Sequence, residues 1–411
     1  MHRLPLLLIL LTTLAHGDTP WPLSLRDAEA LWQQQSHALR LAETAVTGAE
    51  ADMQTAGQRP NPTLSLSHLS ISPQSGFGGG SLKDKKMDTQ VRVDQLIERG
   101  GKRDLRVQGA QARLNAARSD SEDVFRQQRG NLRQAYYTLS LAQERLTLTK
   151  DTVALYRKST DAGRLRLHAG DLSPVDLSRL QIDQGRAEAD AHQAEADLAV
   201  AQQRLARLMG RVPDAARIVA TDPWQQLAEQ ALQATALEER PDLVAARQRL
   251  SAAEADRELA RAQRQRDVTV GFQLERNLQN APTNSFGVAV SLPIFAWHTY
   301  QGDIARAEAD YTAARIQLEQ QESVARSEVA ESRHVLLAAQ ARVKGLEAGL
   351  QEQAAQVAQA AELAYRKGAM SLMDLLDARR TLRQVQLETA AARADYARAL
   401  SEWQVQAEFR K

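Results

Sequence analysis

Cysteine is absent from this chain of 411 residues. That excludes a disulfide framework, a thiolate metal site and a cysteine nucleophile. Aromatic residues are scarce, at 4%, while Ala, Gln, Arg, Glu and Leu abound. Such a composition suits long helices and coiled coils rather than a compact α/β core. A charge imbalance is missing too: 52 Lys and Arg stand against 51 Asp and Glu, a formal net charge of +1. That balance gives no electrostatic case for nucleic acid as a partner. No Ser/His/Asp order, phosphate loop or HExxH occurs, and the 8 histidines show no ligand spacing. Neither an enzyme, a bound cofactor nor a metal site is therefore expected. The one sustained apolar run, Leu4 to Leu14, is shorter than the ~20 residues of a membrane helix. Any later entry into a membrane must use strands.

That run follows a basic start, Met1-His-Arg3, and precedes a small-x-small site, Ala15-His-Gly17. The order is that of a cleaved secretory signal peptide over residues 1–17, with Asp18 as the first mature residue.

What the chain has in quantity is helical periodicity, organised around a turn that occurs twice. Tyr365-Arg-Lys-Gly-Ala-Met-Ser-Leu-Met-Asp-Leu-Leu-Asp-Ala378 lies between two long helical patterns. Gly368 can take the left-handed conformation that ends a helix. Ser371 with Asp374 then reads as a capping box for the next helix. In Ala169-Gly-Asp-Leu-Ser-Pro-Val-Asp-Leu177 the residues Gly170, Ser173, Asp176 and Leu177 match Gly368, Ser371, Asp374 and Leu375 at an offset of 198. Pro174 stands where the first helical residue tolerates proline. A turn used twice marks a tandem duplication.

Each half reads as helix, strand, loop, strand, long helix, turn, long helix. The first repeat covers 18–213, with strands at about 63–71 and 89–97, a glycine-rich loop between them, and a helical hairpin over 102–209. A mixed connector, 214–239, leads to the second repeat, 240–411, with strands at about 268–274 and 286–292 and a hairpin over 301–408. The first long helix should span roughly 100 Å. Heptads are legible: Leu177, Ala191, Leu198 and Leu205 recur beside Leu180, Ala187, Ala194, Ala201 and Leu208. Leu375, Leu382, Tyr396 and Trp403 recur beside Ala378, Val385, Ala392 and Ala399 in the last helix. The strands alternate, as in Val268, Val270, Phe272 and Leu274 against Thr269, Gly271 and Gln273. This is the dyad pattern of a membrane barrel with a wet interior. Four strands cannot close a barrel, so several copies must contribute, and three would give twelve strands.

The chain resembles the TolC family of outer-membrane efflux channels. The resemblance rests on Leu23-Ser-Leu-Arg-Asp-Ala28, Arg240-Pro-Asp-Leu-Val-Ala-Ala246, Ser291-Leu-Pro-Ile-Phe295 and Gly368 to Ala378, in that order and spacing. Gln95-Leu-Ile-Glu-Arg-Gly-Gly-Lys-Arg103 is similar to the strand-to-helix junction of the CzcC-like branch, which serves heavy-metal efflux. The resemblance implies a mainly α protein with a small β part. A homotrimer would complete a 12-stranded β-barrel in outer-membrane lipid and continue as an α-barrel through the periplasm. It would be a passive conduit docked on a periplasmic adaptor and an inner-membrane resistance-nodulation-division pump. It further implies that Asp374 and Asp377 ring the periplasmic entrance, two stacked rings of carboxylates that would favour cations. Tyr365 would help to hold that entrance shut. Gly170, Leu172, Ser173, Gly368, Met370, Ser371 and Leu372 would form the tips that meet the adaptor. Met370 stands where a family member has a basic bridging residue, and Arg366 or Lys367 could substitute. Ser173, Asp176, Ser371 and Asp374 keep a plainer role as helix caps. Without a cysteine there is no lipid anchor, so the barrel alone would hold the protein in the membrane. The competing class is a periplasmic coiled-coil adaptor or scaffold without a pore. An adaptor should carry a lipoyl-like β domain flanking one hairpin, whereas this chain has a strand pair before each long helix.

Overall fold

The computed structural model describes residues 19–69, 88–227, 237–277 and 283–407. The expected signal peptide and the glycine-rich loop at 72–81 lie outside the described residues, as do positions 70–71 and most of the second half of the connector.

Strand β1 (Trp21–Leu23) is followed by α1 (Leu25–Gln35) and α2 (His37–Ala56). Strands β2 (Thr63–Leu69) and β3 (Asp88–Ile97) lead into α3 (Lys102–His168), a single helix of 67 residues, and then α4 (Pro174–Leu208). A short 3-10 turn precedes β4 (Ile218–Ala220). The second half runs α5 (Pro241–Ala262), β5 (Val268–Asn277), β6 (Thr283–Ser291), α6 (Gln301–Gly345), α7 (Gln351–Arg366) and α8 (Leu372–Ala407).

Three elements differ from the sequence reading. The first repeat is expected to open on a helix, starting at Trp21 and running to about Gly57, but Trp21–Leu23 is a strand that pairs in parallel with β4 inside the expected connector. The first helical stretch is two helices, broken at Ser36, whose backbone is extended. The long helix of the second repeat is interrupted at Leu346–Leu350, where Gly349 has φ +129°. Its counterpart 198 residues earlier, Asp151, lies inside the unbroken α3.

The chain forms two compact units, and each draws on both repeats. In the first unit the described residues are 19–39, 125–227 and 327–407; in the second they are 40–69, 88–124, 237–277 and 283–326. The core of the first unit gathers Trp32, Leu132, Tyr136, Leu139, Leu205, Met209 and Ile218, all fully buried. The Tyr136 hydroxyl donates to Leu23 O at 3.0 Å and accepts from the amides of Thr221 and Asp222 at 3.2 Å each. It therefore ties both short strands to the middle of α3. Burial pushes its pKa up to about 12. A second cluster packs Leu336, Val343, Tyr396 and Trp403 between α6 and α8. The heptad positions Leu180, Ala187, Ala191, Ala194, Ala201 and Leu205 are buried along α4, as are Leu375, Ala378, Val385, Ala392, Tyr396, Ala399 and Trp403 along α8.

The second unit holds a four-stranded sheet in the order β2-β3-β5-β6, antiparallel throughout. The register stacks like with like. Leu64, Val93, Phe272 and Val288 form one row across the four strands, and Leu66, Val91, Leu274 and Phe286 the next. The apolar face is open: Leu64 and Val288 are each 70% exposed and Phe286 is 78% exposed. Neither outer strand, β2 or β6, has a partner on its free edge among the described residues. Where the sheet passes into helix, Gly100 and Gly101 both take positive φ. There the buried Lys102 ammonium bonds both carboxylate oxygens of Asp267 at 2.9 Å and Gln265 O at 2.8 Å. The strand-to-helix junction after β3 is thus locked onto the helix-to-strand junction between α5 and β5.

Candidate functional site

The two turns fold alike, for reasons visible in their residues. Gly170 at φ +83° and Gly368 at φ +74° end α3 and α7. Asp171 N bonds Arg166 O at 2.8 Å, and Ala369 N bonds Ala364 O at 2.9 Å. These are the closing bonds of a glycine-terminated helix. Each following helix is capped by serine and aspartate. The Ser173 hydroxyl accepts from Asp176 N at 3.1 Å and donates to its carboxylate at 2.8 Å. Ser371 does the same with Asp374, at 3.2 Å and 2.7 Å. A third copy of this cap, Ser24 with Asp27, starts α1.

Both turns lie in the first unit and pack on each other. Leu372 and Leu376 of α8 join Val153, Tyr156 and Leu180 of the first hairpin in one buried cluster. Leu375 and Ala378 pack on Ala361 in a second cluster. Tyr365 touches both clusters, and Met370 joins the second. Leu372, expected at an adaptor-contacting tip, is 8% exposed. Its side chain binds the two hairpins together instead. Exposed apolar side chains near the tips include Leu165, Val175, Leu363 and Met373, which the duplicated motif does not single out. Gly170, Ser173, Gly368 and Ser371 are exposed. Leu172 is half-buried against the first cluster.

Asp374 and Asp377 are both exposed on α8, one turn apart. The Asp374 carboxylate serves the cap. Asp377 has no side-chain partner among the described residues. The chain therefore holds one carboxylate committed to the turn and one free beside it. Tyr365 is held by a residue the sequence reading missed. Arg166, near the end of α3, donates to the Tyr365 hydroxyl at 2.7 Å, and its guanidinium lies 5.2 Å from the ring centroid. Arg366 pairs with Glu362 at 2.9 Å on its own helix. The basic group that meets Tyr365 thus comes from the other hairpin. Position 166 has no basic counterpart 198 residues on, where Ala364 stands, so the duplication carried no signal for it.

Behind the turns, arginines of α8 fasten the two hairpins. Arg380 clamps the buried Asp183 carboxylate at 2.7 and 2.8 Å, Arg379 donates to the Ser159 hydroxyl at 2.8 Å, and Arg383 pairs with Asp190. Burial raises the pKa of Tyr156 in this cluster. Among the described residues, no three His, Asp or Glu side chains stand together as a metal cluster.

The family described as Outer membrane efflux protein matches residues 30–211 and 232–402. The cobalt-zinc-cadmium resistance protein CzcC of Cupriavidus metallidurans is 27% identical over 379 residues, covering 89% of this chain and 85% of that protein. The outer membrane protein VceC of Vibrio cholerae superposes with a TM-score of 0.77 at 22% identity, over 94% of this chain and 97% of its own. The CmeC outer membrane channel of Campylobacter jejuni gives 0.79 at 16% identity, over 93% and 85%.

Proposed function

We propose, from the premise that this chain belongs to the outer membrane efflux protein family, that three copies close one conduit and that the paired helix turns form its periplasmic mouth. The protein is an outer-membrane efflux channel extending into the periplasm. The assembly is our reading, and the four-stranded sheet carries it. Unpaired strand edges are not tolerated in lipid, because each unsatisfied backbone group there costs several kcal/mol. Both β2 and β6 end in such an edge, and the sheet's apolar rows are open along their whole length. Pairing β6 of one copy with β2 of the next removes every edge once the ring closes. Three copies give twelve strands, inside the range of single-pore barrels.

At the mouth, Asp374 and Asp377 recur three times and favour cations, while the Arg166–Tyr365 contact holds the second turn against the first. A periplasmic adaptor docks on the exposed turn residues, and an inner-membrane pump of the resistance-nodulation-division type supplies the energy. Similarity to CzcC, a cobalt-zinc-cadmium resistance protein by name, supports divalent metal ions as the cargo. The cargo needs no tight site in a passive conduit.

The test is the mass of the protein extracted from outer membranes in mild detergent, corrected for bound detergent. A trimer that needs detergent to stay dispersed is expected. A monomer or dimer that stays soluble without it overturns the assembly. For the cargo, loss of the gene should raise sensitivity to zinc, cobalt or cadmium salts. Sensitivity to organic compounds alone would exclude the metal reading.

A further inference from the structure

The polar face of the sheet carries an ion pair that the efflux reading does not use. Arg92 and Asp94 lie two apart on β3 and so share a face. The Arg92 guanidinium donates from Nε to Oδ1 and Oδ2 of Asp94, at 3.0 and 2.8 Å, and from Nη2 to Oδ1 at 2.8 Å. The rows they occupy are Thr63–Asp94–Gly271–Ala289 and Ser65–Arg92–Gln273–Gly287. Within those two rows their neighbours are small or uncharged, and Glu275 stands one row further on, in Ser67–Gln90–Glu275–Ser285. The apolar rows point the opposite way, so this face turns away from lipid and toward the interior that the closed ring encloses.

The pair has a place built for it. A Cβ on Gly271 would stand 2.3 Å from Asp94 Oδ1 and 2.9 Å from Arg92 Nη2. No side chain fits there while the pair holds its geometry. Glycine weakens a strand interior, so its presence here marks a close approach. The approach is that of the Asp94 carboxylate, laid over the neighbouring strand. Beside it, Gln90 Nε2 donates to Gln273 Oε1 at 2.8 Å, and Ser67 Oγ donates to Gln90 Oε1 at 3.3 Å. This strap crosses three strands next to the pair. At 31% and 23% side-chain exposure, both charges remain in reach of water.

We propose that Arg92 and Asp94 set the ion preference of the membrane section of the conduit, with Asp94 cancelling the charge of Arg92 at the wall. The proposal rests on the channel reading. Rings of uncompensated arginine select anions, and rings of carboxylate select cations. A neutral pair leaves the choice to carboxylates, Glu275 one row further on and those of the mouth. Gly271 is what allows the cancellation, because it leaves room for the carboxylate to lie against the guanidinium.

The experiment is the reversal potential of the purified full-length protein in planar bilayers under a potassium chloride gradient. Asp94→Asn is expected to move it toward the chloride potential, and Arg92→Gln toward the potassium potential. Gly271→Ala should shift it in the same direction as Asp94→Asn, because the added methyl displaces the carboxylate. The double variant Arg92→Gln with Asp94→Asn should return near the wild-type value, which a merely structural brace would not do. A channel whose reversal potential is the same in all four variants overturns the role of the pair and leaves the channel reading standing. A wild-type protein that conducts no ions and extracts as a monomer or dimer soluble without detergent overturns both. If one single variant does not assemble, the other single variant and Gly271→Ala still decide the question.

Discussion

Lysine placed at Val288 and lysine placed at Ala289 should behave oppositely, although the two positions are adjacent on β6. Val288 is 70% exposed and ends the row Leu64–Val93–Phe272–Val288. That row lies between two further apolar rows, so its position is far from either end of the lipid-facing band. A lysine at the bilayer midplane of a barrel costs about 2–4 kcal/mol. In the proposed ring of three copies that would be roughly 6–12 kcal/mol per assembly. Ala289 is half-buried on the other face, next to Gly271 in the row that holds Asp94. A lysine there meets water and a carboxylate, and its cost should be close to zero. The assay is urea unfolding of each variant refolded into phosphatidylcholine vesicles, with the outer-membrane fraction of expressed protein as a second readout. Val288→Lys should lower the midpoint sharply and deplete the membrane fraction, while Ala289→Lys should match the parent. Equal losses in both variants, or a neutral Val288→Lys, would refute the assignment of faces.

Leu376 is fully buried between α8 and the first hairpin. Leu376→Ala should destabilise the turn region by about 2–5 kcal/mol, seen as faster amide exchange confined to α7, α8 and the end of α3. The Tyr136 pKa of about 12 stands above the ordinary phenol value of 10.0. A raised acid favours the protonated form in the folded state, so its stability contribution is complete below pH 10 and disappears as pH climbs toward 12. Up to about 2–3 kcal/mol should be lost across that window, and the loss should be shallower in Tyr136→Phe when unfolding midpoints are compared at pH 9 and 11.5. The double variant Asp374→Ala, Asp377→Ala should lose cation preference in bilayer recordings. Unchanged selectivity would leave the two aspartates with no part in ion choice at the mouth.

The regular parts of this fold were legible because their signals are periodic and repeated. Buried heptad positions on α4 and α8, alternating faces on β5 and β6, and the glycine–serine–aspartate turn each recur in a second copy of the same register. The illegible parts are single events. Three residues at Trp21–Leu23 are too short to show alternation, and their partner strand lies almost 200 residues away. Gly349 sits in an otherwise helical pattern, where a lone glycine is commonly tolerated, yet here it takes a backbone angle that interrupts the helix. Leu372 follows the capping serine and looks like a tip residue, but the packing of one hairpin on the other turns it inward. Arg166 carries no repeat signal, because its contact with Tyr365 joins two halves that have diverged.

The interruption at Leu346–Leu350 has a consequence for symmetry. In the proposed ring of three, the duplicated chains would supply six long helices of nearly the same ancestry. Three of them are unbroken, and three carry a joint, which Arg393 spans by its 2.7 Å bond to Glu347. A ring of that kind cannot bend with sixfold regularity. In the proposed assembly, bending near the turns would therefore alternate around the axis between unbroken helices and jointed ones.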